Sequence, residues 1–204
     1  MIWRCAILVF AKAPVAGHAK TRLIPALGAQ GAARLAQRML DKTLAAAVAA
    51  KIGPVTICCT PTTDHPAFAR AVSRHGVMLA DQGDGDLGAR MHRGLSSALQ
   101  THDAAIVIGT DCPALDGTFL QLAAQALQTS AAVFAPATDG GYVLAGMTRP
   151  MPSLFDGIAW STETVMAHTR DRLAQLCVAA VELPSMHDID LPADLIHVPK
   201  EWMA

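Results

Sequence analysis

Two apolar runs, CAILVFA at 5–11 and AAIVIG at 104–109, have the length of strands and lack the alternation of a half-solvated sheet. Continuous apolarity is what a strand covered on both faces requires, and such strands belong to mostly parallel sheets flanked by helices. Further strand-length runs lie at Val55–Thr60, Val77–Ala80 and Ala131–Pro136. Segments of helical period alternate with them: Ala29–Ala50, Pro66–Arg74, Leu87–Gln100 and Thr118–Gln128. This βα rhythm predicts an α/β fold, a three-layer α/β/α sandwich around a mostly parallel central sheet. After Pro136, ATDGGYVLAGM sets Asp-Gly between two strand-like pieces and predicts a hairpin. A helix over Thr162–Leu176, capped by Ser161 or Thr162, and a last strand, Val178–Leu183, are expected to follow.

No linker, repeat or low-complexity segment divides the chain, so residues 1–204 are expected to form a single domain. The formal net charge is −1 and no Lys/Arg cluster occurs, which argues against nucleic acid or an anionic membrane surface as partner. The five cysteines form no CxxC pair and leave an odd count. They are expected to be mostly buried free thiols in a reducing compartment. The N-terminal apolar run is too short to span a bilayer and carries no cleavage signal, so a cytoplasmic protein is expected. No apolar stripe is distinctive enough to predict an oligomeric state.

In parallel sheets, ligands bind beyond the carboxyl ends of the strands, which singles out four loops: AKAPVAGHAKTR, DQGDGDLG, TDCPAL and ATDGGY. In the first, Lys20-Thr21 resembles the end of a P-loop, but Ala19 replaces its glycine and Pro25 would fall inside its helix. The loop reads instead as an extended basic arm in which Lys20 and Arg22 neutralise phosphates and Gly17 permits close approach, or simply as a solvated loop. The second matches G-x-G-x-x-G at Gly83–Gly88, yet Asp84 and Asp86 would repel a pyrophosphate, and Asp103 begins a strand where a dinucleotide site wants an acid at a strand's end. It is either a polar turn in which amides and Gln82 read a base edge, or a helix start capped by Asp86.

Asp111 follows the AAIVIG strand at the mouth of the presumed cleft, and Asp188 or Asp190 offers a second carboxylate after the last strand. Two such acids, completed by substrate oxygens, suit Mg²⁺. Each also reads as a cap or turn residue, Asp188 and Asp190 at a short helix near Pro192. Asp139 could orient or deprotonate an acceptor pressed against Gly140 and Gly141, and Trp160, Ser161, Thr162 and Glu163 add a polar patch at a helix start.

Taken together, FAKAPVAGHAKTRLIPALG, QGDGDLGARM, IGTDCPAL, PATDGGYVLAG, LFDGIAWSTETV and DIDLPADL resemble the radical-SAM/selenodomain-associated transferases. That family belongs to the nucleotide-diphospho-sugar transferase superfamily with the GT-A fold, and its loops are similar to those of 2-phospholactate and molybdenum-cofactor guanylyltransferases. The resemblance implies a nucleotide or nucleotide-sugar donor, a small-molecule acceptor and Mg²⁺ or Mn²⁺. It implies nucleotide contacts from Ala11, Lys12, Ala13, Gly17, Lys20, Arg22, Gln82, Gly83, Gly88 and Thr110, and metal ligation by Asp111 and Asp190. Acceptor contacts would come from Asp139, Gly140, Gly141, Trp160, Ser161 and Glu163, and catalysis would rest on Lys20, Arg22, Asp111 and Asp139. Asp111-Cys112-Pro113 departs from the Asp-x-Asp of many sugar transferases, and the first loop lacks the doubled glycine of many nucleotidyltransferases. The expected activity is glycosyl transfer from a nucleotide sugar. The alternative is nucleotidyl transfer to a phosphorylated acceptor with release of pyrophosphate, and a third reading is nucleotide binding without turnover.

Overall fold

The computed structural model describes residues 3–202. Its centre is a seven-stranded sheet built from β1 (Cys5–Lys12), β2 (Val55–Thr60), β3 (Met78–Asp81), β4 (Ala104–Ile108), β5 (Ala132–Pro136), β6 (Tyr142–Met147) and β7 (Ala180–Glu182). The spatial order is β3-β2-β1-β4-β6-β5-β7, and only β6 runs antiparallel to its neighbours. The mostly parallel sheet read from the apolar runs is therefore present, with the reversed strand supplied by the DGG hairpin.

Strand alternation sorts side chains into two cores. Cys5, Ile7, Val9 and Ala11 of β1 and Ile106 and Ile108 of β4 face one layer with α1 (Ile24–Ala50), α2 (Pro66–His75) and α4 (Gly117–Ala126). Ala6 and Leu8, with Ala105 and Val107, face the other layer with α3 (Leu87–Ala98) and α5 (Val165–Gln175). Both faces of the sheet are covered, which is why AAIVIG shows no polar alternation. Four cysteines are buried in these cores, while Cys177 is exposed. No described helix is long and apolar enough to cross a membrane.

Three local expectations are corrected. The loop after β1 is not an extended arm: it turns at 16–20, places Lys20 at φ 47°, and passes through a 3₁₀ turn, Thr21–Leu23, into α1. Pro25 is accommodated because it lies in the first turn, where its missing N–H has no intrahelical partner to lose. Gly28, at φ 68° and ψ 164°, then breaks the helix, so the regular run begins where the periodicity begins, at Ala29. The helix expected from Thr162 starts instead at Val165, after a turn in which Ser161 adopts a left-handed φ of 64°. Thr164 is its cap and makes no side-chain cap bond, which removes the helix-start reading of the Trp160–Glu163 patch. β7 is also shorter than its apolar stretch.

The strand order reverses at β1, which lies between β2 and β4, so the crevice of this sheet opens beyond the carboxyl ends of β1 and β4. Ile106, fully buried in the middle of β4, pins those ends together from below. Ile106→Ala is expected to destabilise the fold by about 2–5 kcal/mol. A urea titration should show a lowered midpoint with an unchanged slope.

Candidate functional site

Beyond those strand ends lies a cleft of about 510 Å³. Its basic wall comes from the loop after β1, which contributes Lys20, Thr21 and Arg22. Its acidic wall comes from Asp111 after β4, Asp139 in the β5–β6 turn, and Asp188 and Asp190 in the C-terminal segment. That segment is strapped to the sheet by backbone bonds. Met186 N–H donates to Pro136 O, Thr138 N–H to Met186 O, and Ile189 N–H to Asp111 O at 2.8 Å. The last of these brings Asp190 beside Asp111 across 79 residues of sequence (190 minus 111).

The two carboxylates meet at the Lys20 ammonium. Lys20 Nζ lies 2.9 Å from Asp111 Oδ1 and 2.7 Å from Asp190 Oδ1, and it donates to Ile189 O at 2.6 Å. Its side chain is 8% exposed. Burial works against the charged form, but attraction to Asp111 and Asp190, with their hydrogen bonds, outweighs it and holds the Lys20 pKa above the ordinary lysine value. Arg22, largely exposed, reaches Asp190 Oδ2 at 3.5 Å. Among the described residues no three His, Cys, Asp or Glu side chains gather in a cation cage. Two carboxylate oxygens within 3 Å of one cation nonetheless fit Mg²⁺ or Mn²⁺, which take one or two carboxylates and complete their shell with water and substrate oxygens.

Asp188 belongs to the same wall. Burial first, then repulsion from Asp139, Asp190 and Asp111, raises its pKa to about 6, although a backbone hydrogen bond acts in the opposite sense. A carboxyl group raised in the folded state adds stability that is present at low pH and lost as pH rises through about 6. Asp188→Asn should therefore melt above the wild type at pH 7.5, with the difference shrinking toward pH 5, as differential scanning fluorimetry at the two pH values would show.

Of the residues singled out from sequence, Lys12, Lys20, Arg22, Gln82, Thr110, Asp111, Asp139, Gly141, Trp160, Ser161 and Asp190 line the cleft. Ala11 and Ala13 are buried, and Gly17, Gly83, Gly88, Gly140 and Glu163 lie off the lining. The glycine loop is a capped helix start: Asp86 Oδ1 accepts from Ala89 N–H at 2.8 Å, and the Gly83 amide is already bound to Asp81 Oδ1. Asp103 accepts from Arg4 N–H at the start of β4, away from the cleft end of the sheet. Gln82 is held by a bond from Nε2 to Cys58 O and still borders the cleft. Gly140, at φ 92°, lets the backbone of Glu163 approach where a Cβ would lie 2.0 Å from its carbonyl oxygen. It shapes the wall, with Asp139 Oδ1 closing the turn on Gly141 N–H.

An apolar floor of Phe10, Met91, Val107 and Tyr142 is absent from the sequence reading. Its signal is the second face of the strands, visible only once β1, β4 and β6 are known neighbours. Trp160 stacks on Phe155 and meets Tyr142 edge to face, and its Nε1–H is buried without a partner. Gly88 makes room for it, since a Cβ there would stand 2.6 Å from Trp160 Cζ2 and 2.8 Å from Phe155 O. Gly88→Ala should cost roughly 1–3 kcal/mol by overpacking and displace the indole. A lowered melting midpoint and altered tryptophan emission are the expected readouts.

Residues 43–162 match the profile of a bacterial family described as an uncharacterized protein conserved in bacteria, DUF2064. The chain belongs to this family. No curated protein matches it by sequence. Among solved structures it is similar to a Desulfovibrio desulfuricans G20 protein assigned to the nucleotide-diphospho-sugar transferases, at 30% identity and a TM-score of 0.87, over 95% of this chain and 86% of that one. The fold is shared with 4-diphosphocytidyl-2C-methyl-D-erythritol synthase of Anaerococcus prevotii DSM 20548, at 8% identity and a TM-score of 0.64, each chain covered in full. It is shared also with a Mycobacterium tuberculosis H37Rv protein solved as a manganese complex, at 15% identity and a TM-score of 0.55, over 93% of each chain. The fold is thus that of the nucleotide-diphospho-sugar transferases.

Proposed function

We propose that this chain is a metal-dependent transferase that moves a glycosyl group from a nucleotide sugar to a hydroxyl of a small-molecule acceptor. The observation that carries the reading is the convergence of Asp111 and Asp190 on one cation position at the mouth of the crevice, with Asp139 and Asp188 on the adjoining wall. Mg²⁺ or Mn²⁺ held there by Asp111 and Asp190 would neutralise the charge that develops on a departing nucleoside diphosphate. The manganese complex of the mycobacterial fold relative supports a divalent cation in this role. Radical-SAM association belongs to the same proposal and rests on the sequence resemblance alone.

The acceptor wall favours glycosyl over nucleotidyl transfer. A hydroxyl acceptor needs a base, and Asp188, with a pKa raised to about 6, is poised to take its proton near neutral pH while Asp139 orients it. The acceptor oxygen then bonds to the anomeric carbon, the bond from that carbon to the diphosphate oxygen breaks, and the diphosphate leaves with the electron pair. A phosphorylated acceptor needs no base and would be repelled by Asp139 and Asp188. Nucleotidyl transfer is the second reading, favoured by Arg22 and Lys12, two cations on the cleft wall suited to a longer polyphosphate.

A thermal-shift panel of nucleotide sugars and nucleoside triphosphates, each with and without Mg²⁺, tests the proposal. A donor at a hundred times its Kd should add about 2.7 kcal/mol of stability. The expected result is a Mg²⁺-dependent shift for one nucleotide sugar that Asp111→Asn removes while its own melting stays cooperative. Consumption of a triphosphate with pyrophosphate release, and no preference for any nucleotide sugar over its bare nucleotide, would overturn it.

A further inference from the structure

Lys20 is placed where neither a solvated loop lysine nor a phosphate ligand would be. An ammonium has three N–H groups. All three acceptors they can serve are present within the protein, namely Asp111 Oδ1 at 2.9 Å, Asp190 Oδ1 at 2.7 Å and Ile189 O at 2.6 Å. No donor is left for a ligand. The backbone is bent to achieve this, since Lys20 is a non-glycine residue at φ 47° and ψ 47° whose side chain is almost wholly buried. Arg22, two residues on, is exposed and loosely held, so the loop can present one cation to solvent while hiding the other.

The two oxygens that hold Lys20 are the oxygens that would hold a divalent cation. Mg²⁺ binds carboxylate oxygens at 2.0–2.1 Å, so ammonium and metal cannot share this pair. A metal entering this pair breaks both ion pairs of Lys20 and sets two like charges side by side, which opposes metal binding. Phosphate oxygens arriving together with the metal would accept the two N–H bonds displaced from the carboxylates and relieve that opposition.

We propose that Lys20 is a resident counter-ion that keeps the Asp111–Asp190 pair closed to free divalent metal and yields it when a diphosphate-bearing ligand takes over its hydrogen bonds. The inference rests on the assignment of those two acids as metal ligands. It gives Lys20 two successive partners, the acids in the free protein and the diphosphate in the loaded one. It also makes metal uptake conditional on the donor.

The test is the free Mn²⁺ signal in electron paramagnetic resonance, titrated against the full-length chain without nucleotide. Wild type is expected to leave most of the Mn²⁺ free. Lys20→Met should bind one Mn²⁺ on the order of tenfold more tightly. That gain should vanish in the Lys20→Met/Asp111→Asn double variant. In parallel, Mn²⁺ should raise the melting midpoint of Lys20→Met by more than it raises that of the wild type, a difference a merely structural lysine would not produce. If Lys20→Met does not fold by circular dichroism, Lys20→Gln replaces it, keeping a neutral donor of similar length. Equal Mn²⁺ affinity in wild type and variant, lost with Asp111→Asn in both, would overturn the counter-ion role and leave the metal ligands standing. Absence of bound Mn²⁺ in every form would overturn both.

Discussion

The ion cluster of Lys20 with Asp111 and Asp190 joins three parts of the chain that share no local sequence: the loop after β1, the loop after β4 and the C-terminal segment. The two carboxylates both lie within 3 Å of the Lys20 ammonium, which offsets the repulsion between them. The Ile189 amide bonded to Asp111 O supplies the backbone half of the clasp, and Lys20 supplies the electrostatic half. The shape of the cleft mouth depends on both.

Behind this cluster the cleft lining mixes chemistries. Arg22, Lys12 and Gln82 contribute two cations and an amide, and Asp139, Asp188 and Trp160 contribute two acids and an indole. The apolar floor of Phe10, Met91, Val107 and Tyr142 comes from β1, α3, β4 and β6. The glycine-rich loop, which by pattern alone invites a phosphate, is committed to capping α3 and to being pinned by Arg93, whose guanidinium bonds the carbonyls of Gln82 and Asp84. It serves the site mainly by fixing Gln82 and by making room at Gly88 for Trp160.

Much of this was legible before any coordinate. Strands buried on both faces must be apolar throughout, so CAILVFA and AAIVIG announced a covered, mostly parallel sheet, and a parallel sheet places its ligands at one end. That reasoning reached Lys20, Arg22, Asp111, Asp139 and Asp190 one loop at a time. It did not reach the conformation of the first loop, because the left-handed turn at Lys20 accompanies contacts of its ammonium with the C-terminal segment, which no local pattern records. It placed the start of α5 three residues early for a similar reason, since Gly140 and Glu163 meet only in the folded chain.

Sequence by itself determined the architecture and the loops that carry polar chemistry, because hydrophobic periodicity and the punctuation of glycine and proline are local properties of the chain. Tertiary structure decided which of those polar groups face one another. It set the Lys20 ammonium on both acids instead of in solvent, raised Asp188 by burial among like charges, and built a floor from residues that read as ordinary core. Those outcomes depend on distances of a few ångströms between segments far apart in sequence, where Coulomb attraction and desolvation are strong and local patterns carry no record of them.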